Sequence, residues 1–317
     1  MERDGDGVRT PRASRRSLLV AASGAVAGAV GASGCLASAD RIQVLAAASL
    51  AVALEEHLGP DFEAEHGVRF DGEYHGTNAI LQMVETERKR PDVVLGVDVA
   101  LLRERLYPDH ANWDVEFASN EVGVVYEPST ELGTRLEAGE PWYDVLSDAE
   151  KGAVGIGDPD RSPVGYRAVH LFELAERGHE IEGFRETMVD RASVDGGDGQ
   201  LLGGVEAGNR ACAICYRSMA VDRDLPFYRL SDGYNFGNPE RASEYERASY
   251  TTADGHVVHG SPVVYNGTVL SHADRPAEAE RFVSFLLERT APFEHCGLRV
   301  PDELPRTRGR VPGEVHQ

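Results

Sequence analysis

The chain has 317 residues, 41% of them hydrophobic, and a formal net charge of −21. That is length for roughly one to three domains with cores of their own. The acidity excludes nucleic acid as a partner, because a phosphate backbone needs a basic footprint. Lysine occurs only at Lys89 and Lys151, so nearly all the positive charge is arginine. An acidic, lysine-poor surface reads as adapted to high salt, where screening removes self-repulsion and excess carboxylate keeps the chain hydrated.

The first 34 residues read as an address. Ser14-Arg-Arg-Ser-Leu-Leu-Val20 resembles a twin-arginine export signal. The small-residue apolar run that follows, Leu18 to Ala32, is about 15 residues long, too short for a spanning helix, which needs about 20. It ends in Ala32-Ser-Gly-Cys35, which resembles the lipobox of exported lipoproteins, with Ala32 where a larger apolar residue is usual. The resemblance makes Cys35 a lipid anchor on the outer face of the cell membrane. An uncleaved N-terminal anchor helix would give nearly the same location. Export signal, lipid cysteine and acidic composition together point to a halophilic archaeon.

The body of the chain alternates strand and helix. Arg41 to Ala46 is a β-prone run leading to a helix over Leu50–His57, with Ser49 as its cap. Val68 to Tyr74 is a second strand. His75-Gly-Thr-Asn78 then turns into a helix over Ala79–Arg90, capped by Thr77 or Asn78. Pro91 to Val97 has the continuous apolar character of a central strand, and a helix follows near Val99–Arg105. Val115 to Tyr126 is a long extended stretch able to carry the chain from one domain to another. Trp142 to Leu146 gives a helix signal, and Gly152 to Gly157 the end of a buried strand. Asp158-Pro-Asp-Arg-Ser-Pro-Val-Gly-Tyr-Arg167 follows, with Ser162 at the N-cap and Pro163 at the first position of a helix running to Arg177.

Further on, Ile181 to Met188 reads as helical. Asp195 to Gly199 is a turn into a short helix, Gln200–Ala207, ended by Gly208. Ala211–Tyr216 and Leu225–Leu230 are strands, residues 231–255 are polar and turn-rich, and Val257 to Leu270 is extended. Ala277 to Arg289 is amphipathic, with Ala279, Phe282, Phe285 and Leu286 on one face. The alternation predicts α/β architecture with mainly parallel sheets.

Four times in this order a strand turns directly into a helix: at Ser49, at Thr77, at Ser162 and at Asp195–Gly199. Each helix start carries free N–H groups and about half a positive charge. Four aimed at one point would neutralise an anion without lysine or arginine.

The words along the chain resemble the molybdate/tungstate-binding proteins of ABC importers, the archaeal branch of type II periplasmic-binding-protein-like receptors. They are Ala47-Ala-Ser-Leu50, Gly76-Thr77, Asp92 to Asp98, Phe117-Ala-Ser-Asn120, Trp142 with Leu146, Asp158-Pro-Asp with Pro163-Val-Gly-Tyr-Arg167, Tyr216-Arg-Ser218, Asn266 to Val269 and Cys296-Gly297. The resemblance spans roughly residues 42–300. It implies two α/β lobes, 41–118 plus 262–317 and 119–261, with the ligand in the cleft between them. It also implies a membrane permease as partner, a monomer, no cofactor and no catalytic activity.

In the archaeal branch two carboxylates reach the oxyanion's metal centre, from the positions that here are Ser162 and Cys215. Both carboxylates are missing. The bacterial molybdate-binding branch, similar in fold, uses hydroxyls and backbone N–H groups instead. Carried over, these are Ser49, Thr77, the Tyr216 hydroxyl and N–H groups near Val164 and Asp198.

Two rivals stay open. One is a receptor for another tetrahedral oxyanion, sulfate above all. The other is a thiol redox or metal-binding protein using Cys212 and Cys215. Against it, residues three apart on a strand face opposite ways. The eleven histidines show no metal-ligand spacing on a helix.

Overall fold

Apolar runs bounded by turn residues form two sheets in the computed structural model, which describes residues 41–316. The export signal of 1–34 and the anchor at Cys35 lie outside the described residues. The strands are β1 (Arg41–Ala47), β2 (Arg69–His75), β3 (Val93–Val97), β4 (Trp113–Ser119), β5 (Val122–Tyr126), β6 (Val154–Gly157), β7 (Ser193–Asp195), β8 (Cys212–Tyr216), β9 (Phe227–Arg229), β10 (Ser249–Thr251), β11 (Val257–His259), β12 (Val264–Val269) and β13 (Arg306–Gly309). A six-stranded sheet runs β13-β4-β12-β3-β1-β2 and a five-stranded sheet runs β7-β6-β8-β5-β9. β10 and β11 pair separately in the stretch read as polar turns.

The sheets are mixed, which corrects the expectation of mainly parallel ones. β1 pairs in parallel with β2 and β3, and β6 with β7 and β8. β12 is antiparallel to both β3 and β4, and β5 to both β8 and β9. The reversed strands follow from the crossing. β4 runs toward the second sheet and the chain enters it directly as β5, pointing away from the junction. β12 brings the chain back and lies against β3 and β4. A strand that leaves for the other sheet and one that returns from it run in opposite directions, so β12 lies antiparallel to β4.

The first helix is longer than its apolar pattern predicts. A 3₁₀ turn at Ala48–Leu50, a π-helical turn at Ala53–Leu58 and an α-helix at Gly59–His66 form one run. Gly59-Pro60 reads as a break, yet the wider π turn before it accommodates the missing N–H and the ring. Gly67, at φ +67°, ends the run in the left-handed region. The third helical signal of the second lobe also shifts. It runs Phe184–Arg191 after a left-handed Gly183, rather than starting at Ile181. The amphipathic helix lies at Pro276–Glu288, and Ala279, Phe282, Phe285 and Leu286 are all buried as predicted. Phe62 meets Phe282 and Phe285 edge-on at 5.2 and 5.4 Å, tying the first and last long helices together.

Candidate functional site

Four helix starts converge on one small cavity between the two sheets. Its volume is about 110 Å³, and its wall includes Ala48, His75 and Gly76 from one side with Arg161, Ser162, Gly196 and Gly197 from the other. The helices concerned begin after Ala47, Gly76, Ser162 and Gly197, and none of these four residues caps its helix through a side chain. By contrast Asp98 and Thr130, which begin helices elsewhere, do cap theirs. In the helix after Gly76 the Ala79 N–H donates to the Arg161 carbonyl oxygen at 3.3 Å, and first-turn N–H groups left without such a partner need an outside acceptor. The volume suits an ion of a few heavy atoms and falls below the roughly 300 Å³ at which sites for larger organic ligands begin.

The serine and threonine hydroxyls do not cap, which corrects their expected role. Ser49 lies inside the first turn, and its Oγ is 2.8 Å from the Tyr265 hydroxyl. Asn120 Nδ2 donates to that same Tyr265 hydroxyl at 2.9 Å and to Ser218 Oγ at 2.8 Å. Thr77 is the first residue of its helix rather than the cap, and its Oγ1 accepts from the Val97 N–H at 3.0 Å. Gly76 takes the cap position because the opposite lobe is too close for a side chain. A Cβ there would collide with the Arg161 carbonyl oxygen. Ser162 does occupy the predicted N-cap position.

Val164 is fully buried in the first turn of the Pro163–Gly178 helix. Pro163 has no N–H, so the Val164 N–H is that helix's first donor. Asp198 begins its helix behind Gly197. Cys215 and Tyr216 are buried in β8, opposite Gly123 and Val122 of β5. The Tyr216 hydroxyl accepts from Arg167 Nη1 at 3.1 Å. Among the predicted residues, the cavity wall itself contains Ser162. Ser49, Thr77 and Asp198 each directly follow a wall residue, whereas Val164, Cys215 and Tyr216 are not part of the wall.

Polar wall residues outside the predicted set are Tyr74, His75, Asp158, Arg161 and Asp195, although all sit inside stretches that were singled out. Two carboxylates in the wall are engaged by the protein. Asp195 forms a two-pronged ion pair with Arg210, and Asp158 accepts from the Asp160 N–H at 2.9 Å. His75 shares the Glu73 carboxylate with Lys89, and those two partners hold the Glu73 carboxyl below its ordinary range. A larger cavity of about 350 Å³ lies elsewhere along the junction, walled by Glu104, Glu246, His256 and His259 among others. Its carboxylates have the wrong sign for a dianion.

The cysteines do not make a reactive centre. The three described cysteines, Cys212, Cys215 and Cys296, are all buried. Burial pushes the Cys212 thiol up to about 12 and is the main cause that pushes Cys296 up to about 11. A protonated, buried thiol is a poor nucleophile and a poor metal ligand. Among the described residues no group of three or more histidine, cysteine or acidic side chains could hold a metal ion.

Residues 42–299 match the family of bacterial extracellular solute-binding proteins. The chain belongs to that family. It is 43% identical over 97% of its length to an uncharacterized solute-binding protein of Halobacterium salinarum, covering 99% of that protein. It is 34% identical over 95% of its length to a putative ABC transporter molybdenum-binding protein of Haloferax volcanii, covering 96% of it. The molybdate/tungstate-binding protein WtpA of Pyrococcus abyssi is 26% identical, with 83% of this chain and 84% of that protein aligned. Among solved structures, the periplasmic molybdate-binding protein of Azotobacter vinelandii superposes with a TM-score of 0.60 at 14% identity. That match covers 82% of this chain and all of that one, and it shows a shared fold. Solute-binding proteins of this family serve transport, and among the described residues no helix is long and apolar enough to cross a membrane.

Proposed function

We propose that this solute-binding protein is the exported, lipid-anchored receptor of an ABC importer, and that it takes molybdate or tungstate from the cell exterior and hands it to a membrane permease. The observation that carries the reading is the convergence of four helix starts without side-chain caps on a cavity of about 110 Å³. Each contributes about half a positive charge, so together they match a dianion.

The hydroxyls support an anion over a cation. Thr77 Oγ1 already accepts a backbone N–H, so its own proton is the part it has to offer a ligand. Ser49 Oγ and the Tyr265 hydroxyl share one hydrogen bond in which either can donate, and where Tyr265 donates, the Ser49 proton is left for the ligand. In this reading Ser49, Thr77, Ser162 and Tyr216 supply hydroxyls, and the N–H groups near Val164 and Asp198 complete the donors. Cys215 lines the shell behind Tyr216. The lobes would be 41–118 plus 262–317 and 119–261, preceded by a twin-arginine lipoprotein signal over 1–34 that leaves the lipid on Cys35. The receptor works as a monomer and performs no catalysis. Names borne by the relatives from Haloferax and Pyrococcus support the choice of oxyanion.

Ser162 and Cys215 in place of two carboxylates favour tetrahedral over six-coordinate binding, which also keeps sulfate in view. Calorimetric titration of residues 36–317 in multimolar KCl tests the reading. Tight molybdate or tungstate binding with sulfate much weaker is the expected result. Stronger sulfate binding would mark a change of substrate, and no binding by any of the three would sink the proposal.

A further inference from the structure

Beside the larger cavity, whose wall includes Asp98 and Ser261, one buried cluster joins the two lobes. Asp98 directly follows β3 of the six-stranded sheet, and Tyr166 and Arg167 lie in the helix that packs on β6 and β8 of the five-stranded sheet. The Tyr166 hydroxyl donates to Asp98 Oδ2 at 2.8 Å, and Arg167 Nη2 approaches that same oxygen at 3.4 Å. The other Asp98 oxygen accepts from the Leu101 N–H at 3.2 Å. Arg167 reaches two further elements. Its Nη1 donates to Tyr216 at the end of β8, and its Nη2 lies 3.5 Å from Ser261 Oγ in the return passage between β11 and β12. Asp98 and Arg167 are 2% and 1% exposed.

Two facts set this pair apart from ordinary ion pairs. Its charges are wholly desolvated, so each is costly without the other, and the pairing fixes one geometry more than it adds net stability. Asp98 also sits at φ +88°, a conformation that costs a non-glycine residue free energy. The first cost is met only while the lobes are together; the second is carried by contacts within the lobe of Asp98, to the Leu101 N–H and the Val264 carbonyl oxygen. With the lobes apart, Asp98 and Arg167 regain water, whereas Arg167 keeps Tyr216, which lies in the same lobe.

We propose that Asp98, Tyr166 and Arg167 form a closure latch between the two lobes. Its effect on ligand release rests on the oxyanion reading; the latch itself does not. Burial opposes the Arg167 charge, and the Tyr216, Tyr166 and Asp98 oxygens around it outweigh burial and hold it protonated. Because the latch holds the lobes closed, it governs release more than capture.

The test compares the wild type, Tyr166→Phe, Asp98→Asn and the double variant by stopped-flow binding and release of molybdate. Tyr166→Phe removes one hydroxyl and keeps the ring, so the fold is retained. A hydrogen bond to a charged group predicts release about tenfold faster or more, with capture changed by less than about threefold. The double variant should lose no more than the worse single variant, because both break one contact. Unchanged release, a loss confined to capture, or fully additive losses would overturn the latch. If the wild type binds no oxyanion, the functional reading fails separately. The latch is then judged by small-angle scattering of the ligand-free proteins. A larger radius of gyration for Tyr166→Phe than for wild type supports it, and equal radii refute it.

Discussion

Gly76→Ala separates closure from folding. Gly76 has φ −63° and ψ 141°, a conformation that alanine adopts freely, so the backbone imposes no strain on the variant. Within its own lobe the substitution loses a little as an N-cap and regains about 0.4–1 kcal/mol by restricting the unfolded chain. Across the cleft the added Cβ runs into the Arg161 carbonyl oxygen and lies 3.0 Å from Ser162 Cα and Cβ. Backbone atoms cannot swing aside as a side-chain tip can. The lobes must therefore stay slightly apart, at the ordinary overpacking cost of about 1–3 kcal/mol. That cost falls on the closed, ligand-bound state alone and translates to binding about 5- to 150-fold weaker. Calorimetry against molybdate reads the affinity, and thermal melting without ligand reads the fold. The expected result is a melting temperature within a degree or two of wild type together with the affinity loss. Binding within twofold of wild type would refute both the closeness of Gly76 to Arg161 in the bound state and the assignment of this cavity to the ligand.

Ser49→Ala and Thr77→Val each remove a hydroxyl donor to a charged ligand, so each should weaken molybdate binding by about 10- to 100-fold, read by the same titration. Thr77→Val also strands the Val97 N–H, and Ser49→Ala removes a buried partner of the Tyr265 hydroxyl, so a lowered melting point is expected for both. Cys212, Cys215 and Cys296 should resist a thiol reagent in the native protein and all react in denaturant; rapid native reaction of Cys212 and Cys215 would revive the thiol reading. Asp222, whose carboxyl is pushed up to about 7 by burial and then by the nearby Glu56, has a buried Oδ1 without a hydrogen-bond partner. Its folded pKa lies above its ordinary 3.8, so the folded state holds a proton the unfolded chain has released between pH 4 and 7. Stability from this group therefore falls as pH rises through that window and stays low above it. Asp222→Asn should flatten that fall and raise the melting temperature at pH 8; an identical pH profile would contradict it.

Much of the site was legible because it is local. A strand, a turn with Gly or a small hydroxyl residue, and a helix start are written in a few consecutive residues, and Ala47-Ala-Ser49, Gly76-Thr77, Ser162-Pro163 and Gly196-Gly197 all carry that signature. Their convergence followed from strands ending at the same edge. The jobs of the side chains were misread in the same places. Ser49 and Thr77 are good N-caps by composition, yet Tyr265 and Val97 claim their oxygens from distant parts of the chain. The π turn before Pro60, the β10–β11 pair and the late strand β13 were also missed. Each depends on a partner far along the chain rather than on a periodic pattern of its own.

By itself the sequence determined the α/β order, the buried face of the Pro276–Glu288 helix, the start of the Pro163–Gly178 helix at Ser162 and the sign of the charge the site would welcome. Backbone propensity, capping and hydrophobic period act over a handful of residues, so these needed no knowledge of what lies opposite. Only the tertiary structure decided that the sheets are mixed, that Gly76 must lack a side chain because of Arg161, and that Asp98 meets Tyr166 and Arg167 across the lobes. Those are contacts between residues about 70 or more positions apart. Their partners are chosen by how the lobes pack, and no short stretch of chain encodes that choice.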